Sequence, residues 1–159
     1  MKLGLSLVSG EAKMKPELKL TKEKDIGEIA KIYMQEFSKP PYKEQWTLKK
    51  SIEQISLYFK NYDLYTILVG DKIVGFIALN SRFMCPGEVV FGEEIAIKEE
   101  YQNRGIGAYV FNEIFKIYKR KGYKRFIGIA NKDSKVMTLY QKLGLYQSGT
   151  DILIEKRLR

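Results

Sequence analysis

Apolar residues recur along this chain in two rhythms, and the switches between them mark out its elements. Ile26, Ile29, Ala30, Tyr33 and Phe37 fall at the three-and-four spacing that lines one face of a helix. Asp25 with Glu28 three residues on has the pattern of a capping box, and Pro40-Pro41 closes that helix. Thr47 is placed to cap a second helix, with Leu48, Ile52, Ile55 and Phe59 as its buried stripe and Asn61 as its stop. Residues 18–20 read as a short first strand. Residues 64–69 and 73–79 are β-branched runs on either side of Gly70-Asp71, a hairpin signal. Residues 89–97 read as the next strand, reached through a loop containing Pro86-Gly87. A helix from about 105 to 121 has Ile106, Val110, Ile114 and Ile117 as its core stripe, and Gly122 ends it. Residues 125–130 read as a strand, 134–143 as a helix stopped by Gly144, and 146–158 as a terminal strand pair around Gly149. The rhythms alternate irregularly, with two helices before a central hairpin. The pattern predicts an α/β fold on a mixed sheet rather than a doubly wound parallel one.

Residues 1–16 do not follow this logic and read as an N-terminal extension or an extra strand, leaving 17–159 as a single domain. The chain has 159 residues, one cysteine (Cys85) and no histidine. An intrachain disulfide is excluded, a metal site is not expected, and a reducing, cytoplasmic setting is. No apolar run reaches membrane-span length. The formal net charge of +9 suits an anionic partner without identifying it. The densest basic cluster, Lys119-Arg120-Lys121 with Lys124-Arg125, straddles a predicted helix end, where cations match the helix dipole. That placement, and the lack of a basic arm or nucleic-acid motif, argue against a nucleic-acid partner.

The most informative stretch is the strand ending Ile95-Ala96-Ile97, its charged turn, and Gln102-Asn103-Arg104-Gly105-Ile106-Gly107-Ala108 opening into a helix. Backbone N–H groups at a helix start have no intrahelical partners, so with the helix dipole they favour a phosphate or pyrophosphate. Glycines at 105 and 107 allow a ligand close to the backbone. A dinucleotide fingerprint would need glycine at Val110, and a P-loop would need Gly-Lys-Ser/Thr; neither is present. Taken alone, the two glycines also suit a ligand-free turn.

Gln102-x-x-Gly105-x-Gly107 after such a strand resembles the pyrophosphate loop of the GNAT superfamily of acetyl-CoA-dependent N-acetyltransferases. Leu139-Tyr140-Gln141-Lys142-Leu143-Gly144-Leu145 resembles that family's Leu-Tyr-x-x-x-Gly-Phe segment, with Leu145 in place of the aromatic. The family's asparagine seven residues before the tyrosine is Asp133 here, with Asn131 two positions earlier. Residues 152–158 resemble the last strand of many members, so the resemblance runs in order from about residue 18 to 158. It implies a GNAT-like central mixed sheet with splayed parallel strands, 89–97 and 125–130, flanked by about four helices. It also implies acetyl-CoA as cosubstrate, an amine acceptor, and a homodimer as a common assembly.

The same resemblance places the coenzyme against Ile95, Ala96 and Ile97 and against the loop residues Gln102, Asn103, Arg104, Gly105, Ile106, Gly107 and Ala108. Asn131, Asp133, Lys135 and Tyr140 complete that set. Tyr140 matches the family tyrosine that would protonate the leaving thiolate; packing with Val136, Leu139 and Leu143 is its other reading. Glu94 and Glu93 are the candidate bases, there being no histidine. Strand alternation sets them on opposite faces, and Glu94, which directly precedes Ile95-Ala96-Ile97, is favoured. Both carboxylates could instead merely bind a cationic substrate. Tyr42, Trp46 and Glu94 are the candidate acceptor residues, since aromatics with a carboxylate suit a cationic amine. The activity expected is direct acetyl transfer to a primary amine of a small molecule or peptide. A protein N-terminal acetyltransferase and a non-catalytic acyl-CoA-binding module are the alternatives. Gly128 stands where some protein-acetylating relatives carry a glutamate.

Overall fold

The computed structural model describes residues 15–158. The first strand, β1 (Pro16–Leu20), is followed by a 3-10 turn, Glu23–Asp25, and by helices α1 (Ile26–Phe37) and α2 (Leu48–Asn61). The central hairpin is β2 (Asp63–Val69) and β3 (Lys72–Asn80), turning at Gly70 with φ 64°. Then come β4 (Val89–Ile97), α3 (Ile106–Arg120), β5 (Arg125–Gly128) and α4 (Met137–Lys142). The sheet order is β1-β2-β3-β4-β5, antiparallel except for the parallel β4–β5 pair. This is the expected mixed sheet with four helices.

Alternation along the strands builds two cores. Phe76 and Ala78 of β3, with Ala96 of β4, pack under α1 and α2 against Ile29, Ile32, Tyr33 and Ile55. Ile77 and Leu79 turn to the other face, where Val110, Phe111 and Ile114 of α3 cover them and Leu139 and Tyr140 of α4 pack at the margin. The sheet therefore separates an α1–α2 side from an α3–α4 side.

Thr47 caps α2 as expected, its hydroxyl accepting from the Lys50 N–H at 3.2 Å. Thr47→Ala should cost about 1 kcal/mol of unfolding free energy, measurable by urea denaturation. Asp25 does not cap α1. It ends the 3-10 turn with a helical backbone and makes no capping hydrogen bond, and Glu28 pairs with Lys98 (3.1 Å) and Lys31 (3.5 Å) instead. In α2 the inward stripe is Ser51, Ile55 and Tyr58, while Leu48 and Ile52 are about 40% exposed. The helix is turned so that its small residue faces inward. In α3, Phe111 and Tyr118 are buried with Ile106, Val110 and Ile114, and Ile117 is only partly covered.

The chain's end departs most from expectation. α4 is shorter than 134–143, β5 stops at Gly128 rather than 130, and residues 146–158 form no strand pair. A strand needs a ladder partner to satisfy its backbone, and this segment has none in the structure. Of the proposed extension at 1–16, residues 1–14 lie outside the described residues, and Pro16 belongs to β1.

Candidate active site

β4 and β5 run side by side only from the Val89–Arg125 pair to the Gly92–Gly128 pair. β4 continues through Glu93 to Ile97 while its neighbour leaves, and a notch opens through the sheet between its two faces. The Phe126 ring lies across Gly92, where an added Cβ would come within 2.6 Å of Cζ. Along residues 93–97, the N–H groups of β4 that point away from β3 meet no strand.

At the same place the β3–β4 register slips, with Leu79 opposite Gly92 and Ala78 opposite Glu94. Glu93 is the extra residue of a β-bulge, which breaks strict alternation. The expectation that Glu93 and Glu94 oppose each other across the sheet is thereby corrected. Glu93 accepts from Asn80 Nδ2 at 3.0 Å, and the charges of both glutamates act on Tyr58 of α2.

Past Ile97 the chain makes a 3-10 turn, Glu99–Tyr101, and Gln102 folds back to donate to the Ile97 carbonyl at 2.7 Å and to Glu36 at 3.2 Å. Two left-handed residues follow, Asn103 (φ 56°) and Gly105 (φ 80°). The backbone N–H groups of residues 103–108 donate to no acceptor among the described residues. Such a row forms a concave, electropositive surface at the start of α3. The two glycines differ in their work. Gly105 supplies the left-handed turn, and an added Cβ there would meet nothing within 4 Å, whereas Gly107 makes room for Leu139 Cδ2, 2.8 Å from where a Cβ would stand. Arg104 and Gly105 border a cleft of about 620 Å³ that also touches Lys15, Gly70 and Tyr109. The Arg104 guanidinium lies 5.6 Å from the Tyr101 ring.

On the α1–α2 side of the notch, Glu94 sits opposite Ala78, and burial pushes its carboxyl up to about 7, with the charges of Glu44 and Glu93 adding to the effect. Trp46 Nε1 donates to Glu44, and the Trp46 ring meets Tyr33 edge-on at 4.7 Å. Tyr42 packs on Phe37 at 5.1 Å. Burial raises Tyr33 far above the ordinary phenol range and Tyr58 to about 12, and Glu94 acts on both. From the α3–α4 side comes Tyr140, edge-on to Phe111 at 5.5 Å, with its hydroxyl raised to about 12 by burial and by nearby Tyr42 and Glu94. Tyr140 packs in the core margin, within range of the charge of Glu94.

Eight salt bridges join described residues, and none includes Glu44, Glu93 or Glu94. The structure thus gathers Glu93, Glu94, Tyr42, Trp46 and Tyr140 about the notch. Asn131, Asp133 and Lys135 stand apart, in the loop between β5 and α4. Asn131 Oδ1 accepts from the Asp133 N–H at 2.9 Å, and Lys135 is exposed, its charge adding to the lowering of Glu99 that the hydrogen bond from Lys39 chiefly causes. Tyr33 carries no sequence signal beyond that of a core residue. Its place in a helical stripe gave no other signal, because only the fold sets that stripe beside Glu94.

A notch through a mixed sheet, with a free-amide loop at its rim, is the architecture of acetyl-CoA-dependent N-acetyltransferases. The acetyltransferase (GNAT) family profile matches residues 27–145, and the chain belongs to that family. Similar solved structures include a "possible acetyltransferase" from Clostridium difficile 630, at 16% identity and TM-score 0.77, covering 91% of this chain and 99% of that one. The aminoglycoside N-acetyltransferase AAC(6')-Iy in complex with CoA aligns at 12% identity and TM-score 0.71, covering 91% and 96%. An aminoglycoside acetyltransferase from an uncultured soil metagenomic sample, in complex with sisomicin, aligns at 14% and 0.66, covering 91% and 97%. No curated protein sequence matches the chain. Among the described residues, no helix is long and apolar enough to cross a membrane.

Proposed function

We propose that the protein transfers the acetyl group of acetyl-CoA directly to a primary amine of a cationic small molecule or peptide, both substrates being bound together. The reading is carried chiefly by Glu94, a carboxyl poised near neutral pH, in no salt bridge among the described residues and close enough to Tyr33 and Tyr58 for its charge to act on both. The free N–H groups of residues 103–108 fit a pyrophosphate, and the unpaired edge of β4 at 93–97 fits an extended pantetheine arm. Asn103, Arg104, Gly105, Ile106, Gly107 and Ala108 supply the first contact, and Ile95, Ala96 and Ile97 line the second. Gln102 ties the loop to the strand end. Lys135, with Asn131 and Asp133, stands on the loop toward the coenzyme's outer part.

The amine must lose a proton before it attacks the thioester carbon. Glu94 takes that proton, directly or through a water, and a β4 N–H in the unpaired stretch holds the oxyanion that develops. As the carbon–sulfur bond breaks, Tyr140 gives its phenolic proton to the departing thiolate. Its raised pKa keeps it protonated throughout the working range. Glu94 reaches the notch from one face of the sheet and Tyr140 from the other, so the reacting atoms lie where the strands part. Glu44 and Glu93, like Glu94 in no salt bridge among the described residues, with Tyr42 and Trp46 beside them, suit an acceptor bearing more than one positive charge. Aminoglycoside acceptors in the similar structures agree with that class.

The test is thiol release from acetyl-CoA in the presence of mono-, di- and polyamines and of basic peptides. Multiply charged amines should be acetylated fastest. Tyr140→Phe should lower kcat roughly 10²-fold or more with little change in acetyl-CoA affinity. An unchanged kcat would remove Tyr140 from the chemistry, and no turnover with any amine would leave a coenzyme-binding module.

A further inference from the structure

Phe91 and Glu94 are three positions apart, so an unbroken strand would turn them to opposite faces of the sheet. The extra residue at Glu93 cancels the odd step. Phe91 pairs with Asn80 and Glu94 with Ala78, and Ala78 and Asn80 alternate with Leu79 to the α1–α2 side. Phe91 and Glu94 therefore rise from one face, separated by two residues of β3, about 7 Å. Phe91 packs into neither core. It lies against Phe83 of the β3–β4 loop instead, the rings stacked at 4.4 Å and 19°. Phe83 is 44% exposed. The loop is pinned where it leaves the sheet. Asn80 Nδ2 donates to Glu93 at 3.0 Å, Asn80 Oδ1 accepts from the Arg82 N–H at 3.0 Å, and the Tyr123 hydroxyl donates to the Ser81 carbonyl at 3.0 Å. The Glu88 N–H closes the far end on the Cys85 carbonyl at 3.1 Å. α2 ends over the same end of the sheet, since Asp63, two residues past it, pairs with Leu79. Tyr58 and Tyr62, 5.7 Å apart, bring two further rings there.

We propose that the Phe83–Phe91 pair is the acceptor-specificity subsite of the notch, taking an aromatic or branched-alkyl group carried about 7 Å from the reacting amine. The inference rests on the acetyl-transfer reading and adds to it: charge selects the amine end, and the rings select what the amine is attached to. A cationic head lies against Glu93 and Glu94 while its apolar end covers the exposed rings, which gain an edge or face contact and lose water. Because hydrogen bonds already hold the loop, little ordering opposes that contact. The bulge thus re-aims the carboxylate so that both subsites open on the same side of the sheet.

The test is thiol release from acetyl-CoA with n-butylamine and with 4-phenylbutylamine, which carry one charge each and differ by the ring. The wild type should favour 4-phenylbutylamine in kcat/KM by about 10-fold or more. In Phe83→Ala that ratio should fall to near one. Phe83 stands on an exposed loop outside both cores, so its replacement spares the fold. Phe83→Glu should reverse the preference, favouring 1,5-diaminopentane over 4-phenylbutylamine, a gain that damage to the fold cannot produce. Equal kcat/KM for the two monoamines in the wild type overturns the subsite and leaves acetyl transfer standing. So does a ratio unchanged in Phe83→Ala, even where both rates fall. Turnover with no amine at all removes the acetyl-transfer reading and the subsite with it.

Discussion

Replacement of Glu94 by glutamine is expected to lower acetyl transfer by about 10²- to 10⁴-fold while making the folded protein more stable above neutral pH. The first effect follows from removing the group proposed to accept the amine's proton. The second follows from what burial does to that carboxyl. Unfolded, it titrates near its ordinary value of 4.5; folded, near 7, because desolvation and the charges of Glu44 and Glu93 disfavour the carboxylate. Between those pH values the folded protein holds a proton that the unfolded chain has released. Stability therefore falls as pH rises from about 4.5 to about 7 and stays reduced above. Glutamine is neutral throughout and escapes that loss, which is about 3 kcal/mol at 1.36 kcal/mol per unit. Urea denaturation at pH 8 should find the variant more stable than wild type, with the advantage gone near pH 4. In the wild type, kcat/KM should climb with pH to a plateau beyond about 7. The stability gain follows from burial alone, whereas a carboxylate that only held a cationic acceptor would on replacement raise KM and leave kcat and its pH profile unchanged.

The other large effect is expected at Gly105. Gly105→Glu should abolish measurable acetyl-CoA binding in a calorimetric titration, a loss of at least about 10²-fold, because a carboxylate would occupy the place where free N–H groups favour a phosphate. The surroundings leave room for the side chain, so the fold pays only for forcing a non-glycine residue to φ 80°. That strain is about 1–2 kcal/mol, within what a domain of this size tolerates. Gly105→Ala carries the same strain without the charge and should keep most of the affinity. Equal losses in the two variants would mean that loop shape, rather than the anion, governs binding.

The fold was most legible where local signals agreed. Residues 89–97 form β4 end to end, Thr47 caps its helix, and Gly70, Gly105, Gly122 and Gly144 each mark a turn with positive φ. Reading failed where a tertiary neighbour decides. Asp25 lost its capping role to a preceding 3-10 turn, and α2 turned Ser51 and Tyr58 inward rather than Leu48 and Ile52. The terminal segment has a strand's residues but not a strand's partner. At the site, the loop could be read from its glycines and Glu94 from its place before Ile95-Ala96-Ile97. The bulge at Glu93 could not, because a one-residue slip between strands leaves no trace in the sequence of either. Tyr33 was hidden for a similar reason: a buried tyrosine in a helical stripe looks like any core residue until the helix is docked.

The three carboxylates about the notch that form no salt bridge among the described residues lie within a chain whose formal net charge is +9. Charge therefore acts on the two substrates at different ranges. Under the proposed function, the coenzyme's phosphates are drawn in from several ångströms off the surface and a cationic acceptor is repelled, while at contact the notch reverses the sign for the amine. Added salt shortens the reach of the outer field first. It slows the coenzyme's approach and eases that of a cationic amine, so raising the ionic strength shifts the balance between the two encounter rates.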